Sequence, residues 1–147
     1  DFDLDQQGRE GAVMKITRID DDIIARSWSF FWVRRIVVGR RFDMLPLAMR
    51  NAILAHEQGH VENRHVEKGL LCLLTNPWNF FKLCRKQELE ADEFAATFGH
   101  ALALVDFLRF EKEGNRFYPS HAERRQHLKQ YEHTRFAPVK RPLARSA

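Results

Sequence analysis

The stretch His56-Glu57-Gln58-Gly59-His60 has the form HExxH, and the rest of the chain is read outward from it. On a helix, residues four apart share a face, so His56 and His60 can hold one zinc ion from the same side. Glu57 follows the first His and can reach a water on that metal. The metal lowers the pKa of its water towards neutrality, and a carboxylate takes the proton as the water attacks a carbonyl. The competing explanation is two solvated histidines on a surface helix. What the flanking sequence supplies decides between them.

Upstream of the motif, Pro46 suits the first turn of a helix, with Asp43 near the cap. Leu47, Met49, Ile53, Leu54, Ala55 and Val61 give the apolar positions of a buried helix over 47–66. Gly59 inside it costs about 1 kcal/mol relative to Ala. A small residue there lets another segment, or the metal site, approach closely. Residues 15–42 carry a β pattern. Ile16, Ile19, Ile23 and Ile24 flank an Asp20-Asp21-Asp22 turn. Trp28, Phe30 and Trp32 alternate with Ser29, Phe31 and Val33, and Ile36-Val37-Val38 stops at Gly39. This predicts two or three antiparallel strands, including a hairpin.

Downstream, residues 69–84 are the most apolar stretch, interrupted at Asn76-Pro77. They predict a short helix, a turn and a second short helix packed on the core; a hydrophobic loop that touches a membrane or a substrate is the alternative. Residues 85–113 predict one long helix ending at Gly114. Ser120 with Glu123 makes a capping-box pattern, so a last helix follows over 121–132.

A catalytic zinc takes three protein ligands and leaves a position for water. Glu88, Glu90, Asp92, His65, His100 and His121 are the candidates for the third. Glu88 is the coherent choice. Asp92 lies one helical turn on and faces the same way, where it can accept the outer ring N–H of a zinc-bound His. Glu90 points to a different face and is expected to be solvated or salt-bridged. His65 continues the first helix off the 56/60 face and receives no role.

The bulk numbers agree with one domain. The chain has 147 residues, 44% of them apolar, and 24 basic against 20 acidic side chains give +4. That composition excludes a disordered chain. The basic surplus crowds the C-terminus, from Arg124 to Arg145, and predicts a solvated tail more than a nucleic-acid site. Cys72 and Cys84 form no ligand pattern and are expected as free thiols of a reducing compartment. No run approaches the ~20 apolar residues of a membrane span. The expected organisation is a flexible extension over 1–14, a single domain over 15–132 and a basic flexible tail over 133–147. The expected location is cytoplasmic, with peripheral membrane contact through 69–84 as the alternative.

Together, HEQGH, the downstream Glu88-Leu89-Glu90-Ala91-Asp92 and Tyr118-Pro119-Ser120-x-x-Glu123-Arg124 resemble the HtpX and CAAX-prenyl-protease family of gluzincin metallopeptidases. The lead-in from Phe42 to Ala55 is also similar, so the resemblance spans roughly residues 33–131. In size the chain looks closer to the compact members called minigluzincins. The resemblance implies zinc held by His56, His60 and Glu88, with Glu57 as general base and acid. It implies that Asp92 orients a ligand and that Arg124 pairs with a carboxylate near the site. It also implies that the strand near Arg35–Val38 binds an extended peptide along its edge. The family places a His before the Pro; here Tyr118 stands there, and a phenol can donate to an oxyanion. His121 is the second candidate for that role.

The expectation is therefore an α+β, zincin-like domain. A small antiparallel sheet packs on the HExxH helix and on a second long helix carrying Glu88. Its function is hydrolysis of peptide bonds in a peptide or protein substrate. The rival is a non-catalytic or latent zinc module that binds protein or nucleic acid through its basic tail or aromatic hairpin. Glu57 favours the enzyme, because a structural site needs no acid beside the metal.

Overall fold

The structure, a computed structural model, describes residues 14–30, 33–112 and 118–131. Of the expected extension over 1–14, only Met14 is described, and it packs against the Ile36–Val38 cluster; residues 1–13, the C-terminal tail, Phe31, Trp32 and the helix stop at Gly114 lie outside the described residues.

Three strands come first: β1 (Lys15–Arg18), β2 (Ala25–Phe30) and β3 (Val33–Val38). β2 and β3 form the expected antiparallel hairpin, with Ser27 opposite Ile36. β1 departs from expectation. It pairs parallel to β3, Ile16 beside Ile36, so the sheet is mixed and its order is β1-β3-β2. The connection from β1 to β2 crosses the end of β3. There the Gly39 N–H donates to the Ile24 carbonyl and the Arg40 N–H to that of Asp21. A side chain at Gly39 would collide with the carbonyls of Asp21 and Ile23, so this crossing requires glycine.

This order corrects the expected peptide-binding strand. β3 is central and hydrogen-bonded on both sides, so Arg35–Val38 offers no free edge. Among the described strands the edges are β1 and β2, and β2 is the one beside the HExxH motif.

A short helix, α1 (Arg40–Asp43), leads into α2 (Leu47–Glu62), which begins after Pro46 as expected. α2 ends a turn earlier than 66. Asn63 caps it, its side-chain amide donating to the Gly59 carbonyl at 3.0 Å. Arg64 then adopts a left-handed conformation, φ 53°, and turns the chain back into α3 (His65–Thr75). A single 3-10 turn (Pro77–Asn79) follows.

The second ligand helix, α4 (Phe80–Thr97), starts earlier and ends earlier than expected. Gly99 at φ 83° closes it. The His100 N–H donates to the Ala95 carbonyl and the Gly99 N–H to that of Ala96, the paired bonds of a glycine-terminated helix. The expected single helix over 85–113 is therefore two, and α5 (Ala101–Phe110) turns back across the core. α6 (His121–Leu128) opens on the expected capping box, with both Ser120–Glu123 bonds present, and runs into a 3-10 turn over Lys129–Tyr131.

The α2–α4 contact is made of small residues. Ala52, Ala55 and Gly59 on α2 and Ala91, Ala95 and Ala96 on α4 are all buried. A Cβ at Gly59 would lie 3.0 Å from the Ala91 Cα and from the Phe94 Cβ. The two helices can approach this closely only because no longer side chains separate them. Leu104, Val105, Leu108 and Leu128 complete this core, while Ile36, Val38, Phe42 and Ile53 join the sheet to α2.

The apolar stretch 69–84 does not pack as expected. Leu70, Leu71, Leu73 and Leu74 on α3, and Trp78 beyond it, are exposed.

Candidate metal centre

The two histidines and Asp92 each follow a small residue of the helix contact, and Glu88 lies one turn before Asp92 on α4. His56 and His60 follow Ala55 and Gly59 on α2, and Asp92 follows Ala91 on α4. Close packing of the helices therefore brings the two rows together. The His56 and His60 Nε2 atoms are 3.1 Å apart. Glu88 places Oε2 3.6 Å from His56 Nε2 and Oε1 3.5 Å from His60 Nε2. Among the described residues these three form the group able to hold a metal ion. Ligands about 2.0–2.1 Å from a tetrahedral zinc lie about 3.3 Å from one another. The observed triangle matches that spacing, and two imidazoles with a carboxylate suit zinc chemistry.

The second row is also in place. Asp92, wholly buried, holds the His56 Nδ1–H at 2.9 Å. Arg124, from α6, clamps Asp92 with two bonds, Nε to Oδ2 at 2.8 Å and Nη2 to Oδ1 at 2.6 Å. Its Nη1 is 3.3 Å from Glu88 Oε2. Arg85 fixes the approach to α6, donating to the Tyr118 carbonyl and to both oxygens of Glu123.

One contributor was missed from the sequence. The left-handed turn at Arg64 folds His65 back onto His60, and their Nδ1 atoms are 2.8 Å apart. His65 is buried, and its Nε2 lies 3.1 Å from Glu90. A carboxylate only accepts, so His65 Nε2 carries a proton. The Nδ1 of neutral His65 then accepts from His60, which leaves the His60 Nε2 lone pair facing the triangle. Glu90 is salt-bridged as expected, to Lys86, and it also accepts the hydrogen bond from His65. A helix continued to 66 hides this contact, and a non-glycine left-handed residue leaves no clear mark in a sequence.

The electrostatics follow from burial among opposite charges. Burial opposes a charge on His56, but its hydrogen bonds to Asp92 and Glu88 outweigh that and raise its pKa to about 9. Burial and the neighbouring His56 lower His60 to about 3. Burial likewise works against the Glu88 charge, yet His56 and Arg124 pull it down to about 2. Asp92 is held well below the carboxylate range, its burial overcome by Arg124 and His56. Glu57 moves the other way. Burial raises it, opposed by His56 and by hydrogen bonds from Ser27.

These groups open onto a cleft of about 390 Å³. It is lined by His56, Glu57, His60 and Glu88, by Ile24 with the first residues of β2, Ala25 to Ser27, and by Tyr118, Pro119 and His121. Both oxyanion candidates, Tyr118 and His121, thus face the same space. Burial raises the Tyr118 hydroxyl, so it stays a proton donor at neutral pH. His100 does not line this cleft, and Cys72 and Cys84 are free thiols. No helix among the described residues is long and apolar enough to cross a membrane.

Comparison of the chain with protein-family models, with curated proteins and with solved structures gives no match.

Proposed function

We propose that the chain is a zincin-like, zinc-dependent metallopeptidase that cleaves peptide bonds within an extended substrate. The observation that carries this reading is the convergence of His56 Nε2, His60 Nε2 and the Glu88 carboxylate beside Glu57, in a cleft walled by a strand edge. His56, His60 and Glu88 would hold the zinc. Bound there, zinc polarises the scissile carbonyl and makes a water acidic enough to ionise near neutral pH.

The protein's own groups do the rest. β2 is paired on one side only, and its outer N–H and C=O groups suit an extended peptide laid along the cleft. Glu57, with its raised pKa, takes the proton of the attacking water and returns it to the leaving amine. Tyr118 or His121 donates to the oxyanion as the carbonyl carbon becomes tetrahedral. Asp92 and Arg124 keep the His56 ring in place, and His65 with Glu90 does the same for His60. A purely structural metal site has no use for Glu57 or for an open cleft beside it, which favours the enzyme over the binding module. The expected substrate is a cytoplasmic peptide or protein, and no specific nucleic acid is expected.

Peptide-library cleavage read by mass spectrometry tests the reading. Internal cleavage that stops with a chelator and returns with zinc is the expected result. Protein loaded with zinc that cleaves nothing in the library contradicts it.

A further inference from the structure

Helix α3 turns its apolar side the wrong way for a protein in water. Its packed side carries His65, Gly69 and Cys72, and Gly69 sits under the Phe80 ring. Its leucines point outward: Leu71 is 61% exposed and Leu74 76%, with Trp78 at the tip 92% exposed. Exposed apolar side chains elsewhere, such as Met44 and Phe110, stand apart in the chain, whereas those of α3 fall within five consecutive residues, Leu70 to Leu74. Leu70, Leu71, Leu73 and Leu74 cover one broad side of the helix, a patch of the kind that marks an interaction site.

The charge around it selects the partner. From Lys68 to Gln87 the chain has no Asp or Glu, and it has Lys68, Lys82, Arg85 and Lys86. Arg85 pairs with Glu123 and Lys86 with Glu90, while Lys68, three residues before Leu71, and Lys82, four residues after Trp78, are exposed. Two copies meeting through this face would set lysine against lysine, which disfavours a dimer. A basic, leucine-rich surface with a protruding Trp fits the headgroup layer of an anionic bilayer. No described helix can span a membrane, so the contact lies on the surface.

We propose that the α3 tip docks on anionic lipid bilayers, with Leu70, Leu71, Leu74 and Trp78 at the acyl boundary and Lys68 and Lys82 against lipid phosphates. The inference rests on exposure and charge, independently of the metal centre. It is tested by sedimenting the full chain with vesicles of phosphatidylcholine alone and of phosphatidylcholine with phosphatidylglycerol.

The protein is expected to pellet with the anionic vesicles. Leu74→Glu and Trp78→Glu should each weaken that binding at least about tenfold, the scale of one large apolar side chain lost from the acyl boundary. The pair Lys68→Glu and Lys82→Glu should weaken it on anionic vesicles only. Unchanged circular dichroism shows that the variants fold. Wild-type protein left in the supernatant with both vesicles overturns the proposal. So does binding indifferent to Leu74→Glu and Trp78→Glu, or equal binding to neutral and anionic lipid. A dimer in analytical ultracentrifugation that Leu74→Glu dissociates, without vesicle binding, assigns the face to a second copy and also overturns it.

Discussion

The Nδ1 atoms of His60 and His65 lie 2.8 Å apart, and the far nitrogen of His65 lies 3.1 Å from Glu90. This chain holds the His60 ring so that Nε2 faces the ligand triangle. His65→Phe keeps the bulk but removes the acceptor, and Glu90→Gln removes the charge that orients His65. Each is expected to weaken zinc binding about 10–100-fold, the usual effect of losing a partner behind a metal ligand. Competition with a fluorescent chelator measures this, with Lys86→Ala as the control. Wild-type affinity in both variants, alongside tight zinc binding by the wild type, would refute the His65 role without touching the ligand assignment.

Arg124 and Asp92 form a buried pair, with side chains 13% and 0% exposed. Arg124→Met leaves the Asp92 carboxylate without its main partner. The expected destabilisation is about 3–5 kcal/mol in urea unfolding, as for other broken buried pairs. A loss below about 1 kcal/mol, the level of a surface pair, would mean that the clamp is not what holds α6 to α4.

Gly59→Ala opposes two effects. Helix propensity favours Ala by about 1 kcal/mol. The added methyl meets the Ala91 backbone and Phe94 at 3.0 Å, and overpacking of that kind costs about 1–3 kcal/mol. The clash is with backbone, so destabilisation is the expected net result. Zinc affinity should fall as well, since α4 carries Glu88. A more stable variant with unchanged affinity contradicts the close-contact account.

The pH profile of the chelator-treated protein follows from two histidines shifted in opposite directions. The folded pKa of His56 is raised to about 9 from 6.5, so its contribution is fully present below pH 6.5 and is lost as pH rises through 9. The folded pKa of His60 is lowered to about 3 from 6.5, so folding weakens as pH falls below 6.5 towards 3. Stability should therefore peak near pH 6.5 in thermal melts. Zinc must displace the His56 Nε2 proton, so its apparent affinity should rise with pH between 6.5 and 9. Melting temperatures that climb steadily from pH 6.5 to 9 without zinc would contradict the raised His56.

The parts of the site legible in the sequence are those set by helical period. His56 with His60, and Glu88 with Asp92, sit four apart, and the structure brings both pairs together. Arg124 was legible through its motif and Gly59 through its cost. His65 was not, because a left-handed Arg64 redirects the chain where no glycine announces a turn. The sheet edge was misplaced because β1 pairs with β3 across the 14 residues between Arg18 and Val33, a contact that local pattern does not encode. Gly99 could have been read as a helix stop, since it lies inside an otherwise continuous helical pattern. The leucines of α3 misled because apolar stretches of that length usually pack inward.

Cleavage of an unstructured peptide by zinc-loaded Glu57→Gln, compared with zinc-loaded wild type, tests the central claim most directly. Glutamine keeps the shape of the side chain and cannot take the proton. The account predicts equal zinc content and a loss of turnover of about 10²–10⁴-fold. Undiminished turnover in Glu57→Gln, or a zinc-loaded wild type with no peptidase activity, would contradict it.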